Sequence, residues 1–98
     1  MKIAFLPAAQ VELDDTFLWY EEQAIGLGYE FLDEIDQSLR LVANYPELQP
    51  RIDNNIRRCL TNRFPYGIFY GVAEGNVIVV AVGHLKRKPI YWKNRLKK

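Results

Sequence analysis

Residues that bind metals or act as nucleophiles are scarce in this 98-residue chain. It has one cysteine and one histidine, too few to assemble a closed set of nitrogen and sulfur ligands. A lone cysteine also forms no internal disulfide, and such cysteine usage fits a reducing compartment, the cytoplasm. Ser38 is the single serine and falls inside a helical pattern, which leaves no serine–histidine–aspartate relay. No glycine-rich phosphate loop or dinucleotide fingerprint is present, so neither a metal nor a cofactor is expected. Long apolar runs are missing too. The longest, Val77–Val82, is strand-sized and far short of the ~20 residues of a membrane span. The opening apolar segment is cut by Pro7 and by acidic residues from Glu12 onward, too early for a secretory signal.

Basic residues are nearly absent from one half. Residues 1–50 hold ten acidic and two basic side chains, whereas residues 51–98 hold eleven basic and two acidic ones. The net charge of +1 conceals this division, which predicts an acidic or polyanionic partner for the second half. A hydrophobic content of 49% with 13% aromatics is enough for a real core in one domain spanning residues 1–98.

Lys2–Leu6 reads as a first strand. Ala8 to about Ile25 reads as a helix whose stripe is Ala9, Leu13, Phe17, Tyr20 and Ala24. Val11, Leu18 and Ile25 form a second apolar line, and Trp19 lies off both; two lines predict contact with two neighbours. Gly26-Leu27-Gly28 breaks the pattern and predicts a helical hairpin. The second helix, from about Tyr29 to Asn44, has the apolar face Phe31, Leu32, Ile35, Leu39 and Val42 and ends before Pro46. Pro46–Asn55 reads as a loop. Ile56–Thr61 reads as a strand with Arg58 on one face and Arg57 and Cys59 on the other, Cys59 being most simply a core residue. Tyr66–Ala73 and Val77–Gly83 read as paired strands across Glu74-Gly75-Asn76. The result is an α+β fold of order β-α-α-β-β-β: a helical hairpin on one face of a mostly antiparallel sheet, followed by a basic C-terminal tail.

That tail carries His84, Lys86, Arg87, Lys88, Tyr91, Trp92, Lys93 and Arg95, then Lys97 and Lys98. Arg57, Arg58 and Arg63 belong to the neighbouring strand and its exit. Gathered on the sheet face away from the helices, these groups would form a concave cationic surface. Its cations would neutralise phosphates, and Tyr91 or Trp92 would stack on an unpaired base. Metal-independent RNA cleavage needs a group to take the 2′-hydroxyl proton, cations on the scissile phosphate and an acid for the leaving oxygen. His84 titrates nearest neutrality by type and suits either proton role. Its other reading is a strand-end residue bonded to backbone.

Taken together, Trp19-Tyr20-Glu21, Phe31-Leu32-Asp33-Glu34-Ile35, Arg57-Arg58 with Arg63-Phe64-Pro65-Tyr66, and His84 with Lys86-Arg87-Lys88-Pro89, Tyr91-Trp92 and Arg95 resemble the RelE/ParE toxins of type II toxin–antitoxin systems, sometimes labelled plasmid stabilisation proteins. The resemblance covers essentially the whole chain. It implies a growth-inhibiting toxin neutralised by a cognate antitoxin. It also implies one of two targets: ribosome-bound mRNA, cut by RelE-like members acting as endoribonucleases, or DNA gyrase, poisoned by ParE-like members. For a nuclease, the matching positions are Arg57, Arg58, Arg63, His84, Arg87 and Tyr91, with Lys86, Lys88, Trp92, Lys93 and Arg95 binding nucleic acid or target. Gly67 stands where many members carry an arginine, and Leu85 where a second is expected. A non-toxic binding module of the same fold, engaging only a partner protein or RNA, is the alternative.

Overall fold

Pro7 opens the first helix because its fixed φ suits the first turn and its missing N–H has no partner to lose there. In the computed structural model, which describes residues 1–96, β1 (Lys2–Phe5) leads through an extended Leu6 into α1 (Pro7–Gln23). Lys97 and Lys98 lie outside the described residues. The helix α2 (Leu27–Asn44) follows after a tight connection. Its first turn is satisfied by a side chain of α1: the Glu21 carboxylate accepts the Gly26 and Gly28 N–H groups, each at 2.9 Å, where a helix start leaves donors unpaired and favours negative charge. Gly28 has to be small, since a Cβ there would sit 2.6 Å from the Phe17 carbonyl oxygen.

The strands β2 (Arg51–Asp53), β3 (Ile56–Leu60), β4 (Tyr66–Ala73) and β5 (Asn76–His84) complete the fold, with a short 3₁₀ turn at Lys93–Leu96. The sheet order is β1-β5-β4-β3-β2, with β1 parallel to β5 and every other pair antiparallel. The strand β2 departs from the loop expected over Pro46–Asn55. Its three residues are too few to show alternation, and Asn54, at φ 48°, supplies the left-handed residue its tight turn needs.

On one face of the sheet the helical hairpin buries Phe31, Ile35 and Val42 against Cys59, Ile68, Tyr70, Val77, Val79 and Val82. Cys59 is a core residue whose thiol is pushed up by burial. The other face is covered as well. Ile56, Phe69, Val80, Ala81 and Trp92 form a second buried cluster, with Ile52, Ile90 and Tyr91 packed on it. A register shift makes this possible: Phe69 pairs with Ala81 but Tyr70 with Val79, so Val80 is an extra residue. Such a bulge breaks strict alternation, and both Val80 and Ala81 face the second cluster while Val79 and Val82 face the helices.

The second apolar line of α1 does not find the neighbour expected for it. Val11 and Leu18 are more than half exposed, Trp19 is 55% exposed, and Ile25 is fully exposed beyond the helix end. Among the described residues, no helix is long and apolar enough to cross a membrane.

Candidate functional site

The parallel partner β1 stops at Phe5, opposite Val79. From Val80 onward this edge of β5 has no strand beside it among the described residues, and unpaired strand edges are costly and prone to association. Two side chains cover the gap. Glu12, from α1, accepts the Val82 N–H at 3.0 Å, and Arg95, from the tail, donates to the Val80 carbonyl at 3.1 Å. The two are also joined by a bidentate ion pair, at 2.7 Å and 2.9 Å. A helix residue and a tail residue thus stand in for the missing strand.

The Glu12 carboxylate gathers further donors. The Tyr91 hydroxyl donates to it at 2.7 Å, and Arg87 approaches it at 3.3 Å. The Arg87 guanidinium lies over the Tyr91 ring at 3.7 Å, and that of Arg95 at 5.2 Å. Burial alone would raise the Glu12 pKa, but the bonds from Arg95, Tyr91 and the Val82 amide outweigh it and hold the carboxyl below its usual value. Tyr91 moves the other way: burial, then its bond to Glu12, push the phenol well above its ordinary value. A phenol that already donates to a carboxylate and resists ionisation is no general base.

The floor under Tyr91 is bare. Gly67 and Gly83 face each other across β4 and β5. A Cβ on Gly83 would collide with the Tyr91 hydroxyl, and one on Gly67 would press on the Arg58 stem at 3.2 Å and on Leu85 at 3.4 Å. The space above Gly67, where the resemblance leads one to look for an arginine, is filled by Arg58 from the neighbouring strand.

The residues singled out in the sequence are divided among several places. Arg58, His84, Leu85, Arg87, Lys88 and Tyr91 line one cleft of about 80 Å³, room for a few waters but well under the ~300 Å³ at which small-molecule sites begin. His84 ends β5, accepts the Lys86 N–H on Nδ1 at 3.0 Å and meets the Tyr66 ring edge-on at 5.3 Å. Arg57 points to the opposite face of β3, where it donates to the Glu47 and Gln49 carbonyls. Arg63 sits against α2, paired with Glu30 and Glu34. Lys93 pairs with Asp53 at 3.6 Å. Lys86, Arg87 and Lys88 are exposed at the turn after β5.

Two expectations need correction. The sheet face away from the helices is not an open concave cationic surface, because Ile90, Tyr91 and Trp92 cover it. Trp92 is fully buried, tilted against Phe69 at 5.5 Å between ring centres, and has no free ring face to offer a base. Conversely, the sequence reading passed over Glu12. Its signal was slight: an ionisable residue one turn from Ala9 and next to Leu13, at the border of the buried stripe. Nothing in the sequence says which of the tail cations would reach it.

A family model described as the ParE toxin of type II toxin-antitoxin system, parDE, matches residues 3–89. Among solved structures, one titled as the chromosomal ParDE toxin–antitoxin system from P. aeruginosa is similar, with a TM-score of 0.70 at 17% sequence identity, covering 86% of this chain and 95% of that one. No curated protein sequence matches.

Proposed function

The chain belongs to the ParE toxin family of type II toxin–antitoxin systems, and from that premise we propose that it arrests growth by binding and poisoning DNA gyrase rather than by cutting mRNA. The observation that carries this reading is how the would-be nuclease groups are used. Tyr91 donates to Glu12, Arg95 is locked in a bidentate pair with the same carboxylate, and Arg87 is stacked over the Tyr91 ring. Arg57 and Arg63 lie on other parts of the surface. What remains is the exposed turn Lys86–Lys88, with Lys86 and Lys88 on either side of the engaged Arg87 and beside Arg58 and His84, which suits recognition of an acidic or polyanionic surface. Lys93, Arg95 and Trp92 hold the segment that carries this turn and take no direct part in recognition.

Neutralisation by a cognate antitoxin belongs to the same reading. The exposed side chains of Val11, Leu18 and Trp19 on α1 are apolar surface that a partner would cover. The deciding experiment compares two assays of the purified chain. Inhibition of gyrase supercoiling, with no cleavage in toe-printing on translating ribosomes, is expected. Cleavage at the ribosome with gyrase unaffected would overturn the target. A second reading, RNA cleavage, draws on the shared cleft of Arg58, His84 and Arg87. It predicts that His84→Ala abolishes toe-print signals.

A further inference from the structure

Glu12 accepts five hydrogen bonds or ion-pair contacts: from the Val82 amide, the Tyr91 hydroxyl, both terminal nitrogens of Arg95 and one of Arg87. Its side chain is 13% exposed. Three of these partners belong to the segment after β5: Arg87 lies within the exposed Lys86–Lys88 turn, and Tyr91 and Arg95 stand on either side of Trp92. The near end of the turn is pinned by backbone, with Leu85 donating to the Pro65 carbonyl at 2.9 Å and Arg87 to the His84 carbonyl at 3.0 Å. The far end depends on the Glu12 cluster and on the buried Trp92 ring.

We propose that Glu12 is a positioning residue of the toxin: it touches no target, but its carboxylate fixes where the Lys86–Lys88 turn stands, and growth arrest depends on it. This rests on the reading of the chain as a toxin whose cationic turn meets the target. The chemistry of the cluster makes the dependence steep. Remove the negative charge and two guanidiniums are left over one phenol ring with no counter-charge, a like-charge arrangement in a half-dry setting. A glutamine of the same shape offers one acceptor oxygen, while its amide donors meet a ring of donors.

The test uses Glu12→Gln and Glu12→Asp in the full chain. In a Trp19→Phe background, Trp92 is the only tryptophan, and its emission reports whether the tail is docked. Glu12→Gln is expected to keep the far-ultraviolet dichroism of the helices, to shift Trp92 emission to longer wavelength and, in the native background, to lose growth arrest. Glu12→Asp keeps the charge on a shorter stem and should retain part of both docking and arrest. Full arrest by a folded Glu12→Gln overturns the proposal. So does arrest lost with Trp92 emission unchanged, since Glu12 would then act somewhere other than through the tail. Should Glu12→Gln fail to fold, Glu12→Asp decides: partial undocking with weakened arrest supports the proposal, and wild-type arrest or unchanged Trp92 emission overturns it. The target assignment fails separately. A wild-type chain that arrests growth but leaves gyrase untouched removes gyrase, while the Glu12 comparison still stands; a wild-type chain that does not arrest growth overturns both.

Discussion

The two faces of the sheet are closed by different kinds of chain. On the helix side, Phe31, Ile35 and Val42 from a single helix meet six strand residues, and Phe31 packs against Tyr20, Phe64 and Tyr66 with ring centres 5.4 Å apart in each case. On the tail side a smaller cluster is closed by one large ring, Trp92, and by charged groups gathered on Glu12. The two buried side-chain nitrogens without a protein partner among the described residues, Arg58 Nε and Trp92 Nε1, belong to this side. A buried unpaired donor costs ~1–3 kcal/mol. The helix side is therefore held by burial that no single polar contact decides, and the tail side by a few directional contacts partly offset by unpaired donors. Regions of the second kind open first, which suits the turn proposed to meet a target.

The largest expected effect tests the helix side. Phe31→Ala removes a fully buried ring from the centre of the aromatic group, and truncations of this kind cost ~3–5 kcal/mol. Urea unfolding should show the whole transition moved to lower denaturant with its slope unchanged, because both layers unfold together. A cost near zero would mean that the helical hairpin is not the main support of the sheet.

Trp92→Ala is the matching truncation on the other side. The ring is as buried as Phe31, yet the cost should fall below ~3 kcal/mol, under the range for large aromatics, because the tail can detach and leave the rest folded. The sign of that detachment is a reduced slope of unfolding, since the tail surface is already exposed before the transition. If Trp92→Ala instead unfolds the helices, the two sides are one cooperative unit and the contrast between them fails.

How much of this was legible beforehand divides along the same line. Strict alternation in Tyr66–Ala73 and the stripe Phe31, Ile35 and Val42 announced the helix side, because period and burial coincide there. The all-apolar run Val77–Val82 could not reveal its own bulge, since every residue in it suits either face. Trp92 had no periodic companions, so its chemistry suggested an exposed stacking platform where packing made it a core residue. Glu12 was illegible for a related reason: its partners lie some eighty residues away, at a separation that no local pattern encodes. The charged tail was seen as a list of cations, and the carboxylate that engages three of its side chains was not.

Gly83→Ala places the contrast more finely. Its Cβ would collide with the Tyr91 hydroxyl, whereas a Cβ on the facing Gly67 meets mainly the flexible stem of Arg58 at 3.2 Å. Overpacking at Gly83 should cost about 1–2 kcal/mol and drive Tyr91 off its floor, which Trp92 emission in a Trp19→Phe background would detect. Gly67→Ala is the control, since the Arg58 stem can move aside, and it should leave the tail docked. Equal undocking by both would show that the whole bare strip matters and not the Tyr91 contact.

The smallest effect should come from acid, and at the tail its sign follows from the Glu12 pKa. Burial opposes ionisation of Glu12, but its bonds from Arg95, Tyr91 and the Val82 amide prevail and lower the pKa in the folded chain. A group lowered on folding adds stability that is complete above its unfolded value, near pH 4.3, and is lost as pH falls through the folded value. Of the other groups facing the carboxylate, Arg95, raised by its bond to Glu12, keeps its charge throughout this range, and Tyr91, raised by burial and by Glu12, stays neutral. Asp15 and His84 line the cleft beside it but make no bond to it. Between pH 7 and pH 5 the tail should therefore stay docked. Below about pH 4.3 Trp92 emission should move to longer wavelength before the helix dichroism falls, since the helix-side core is held by apolar burial. The Glu12→Gln variant should lack this step altogether. Coincident loss of both signals would mean that acid unfolds the two sides together, and the tail would then have no separate latch.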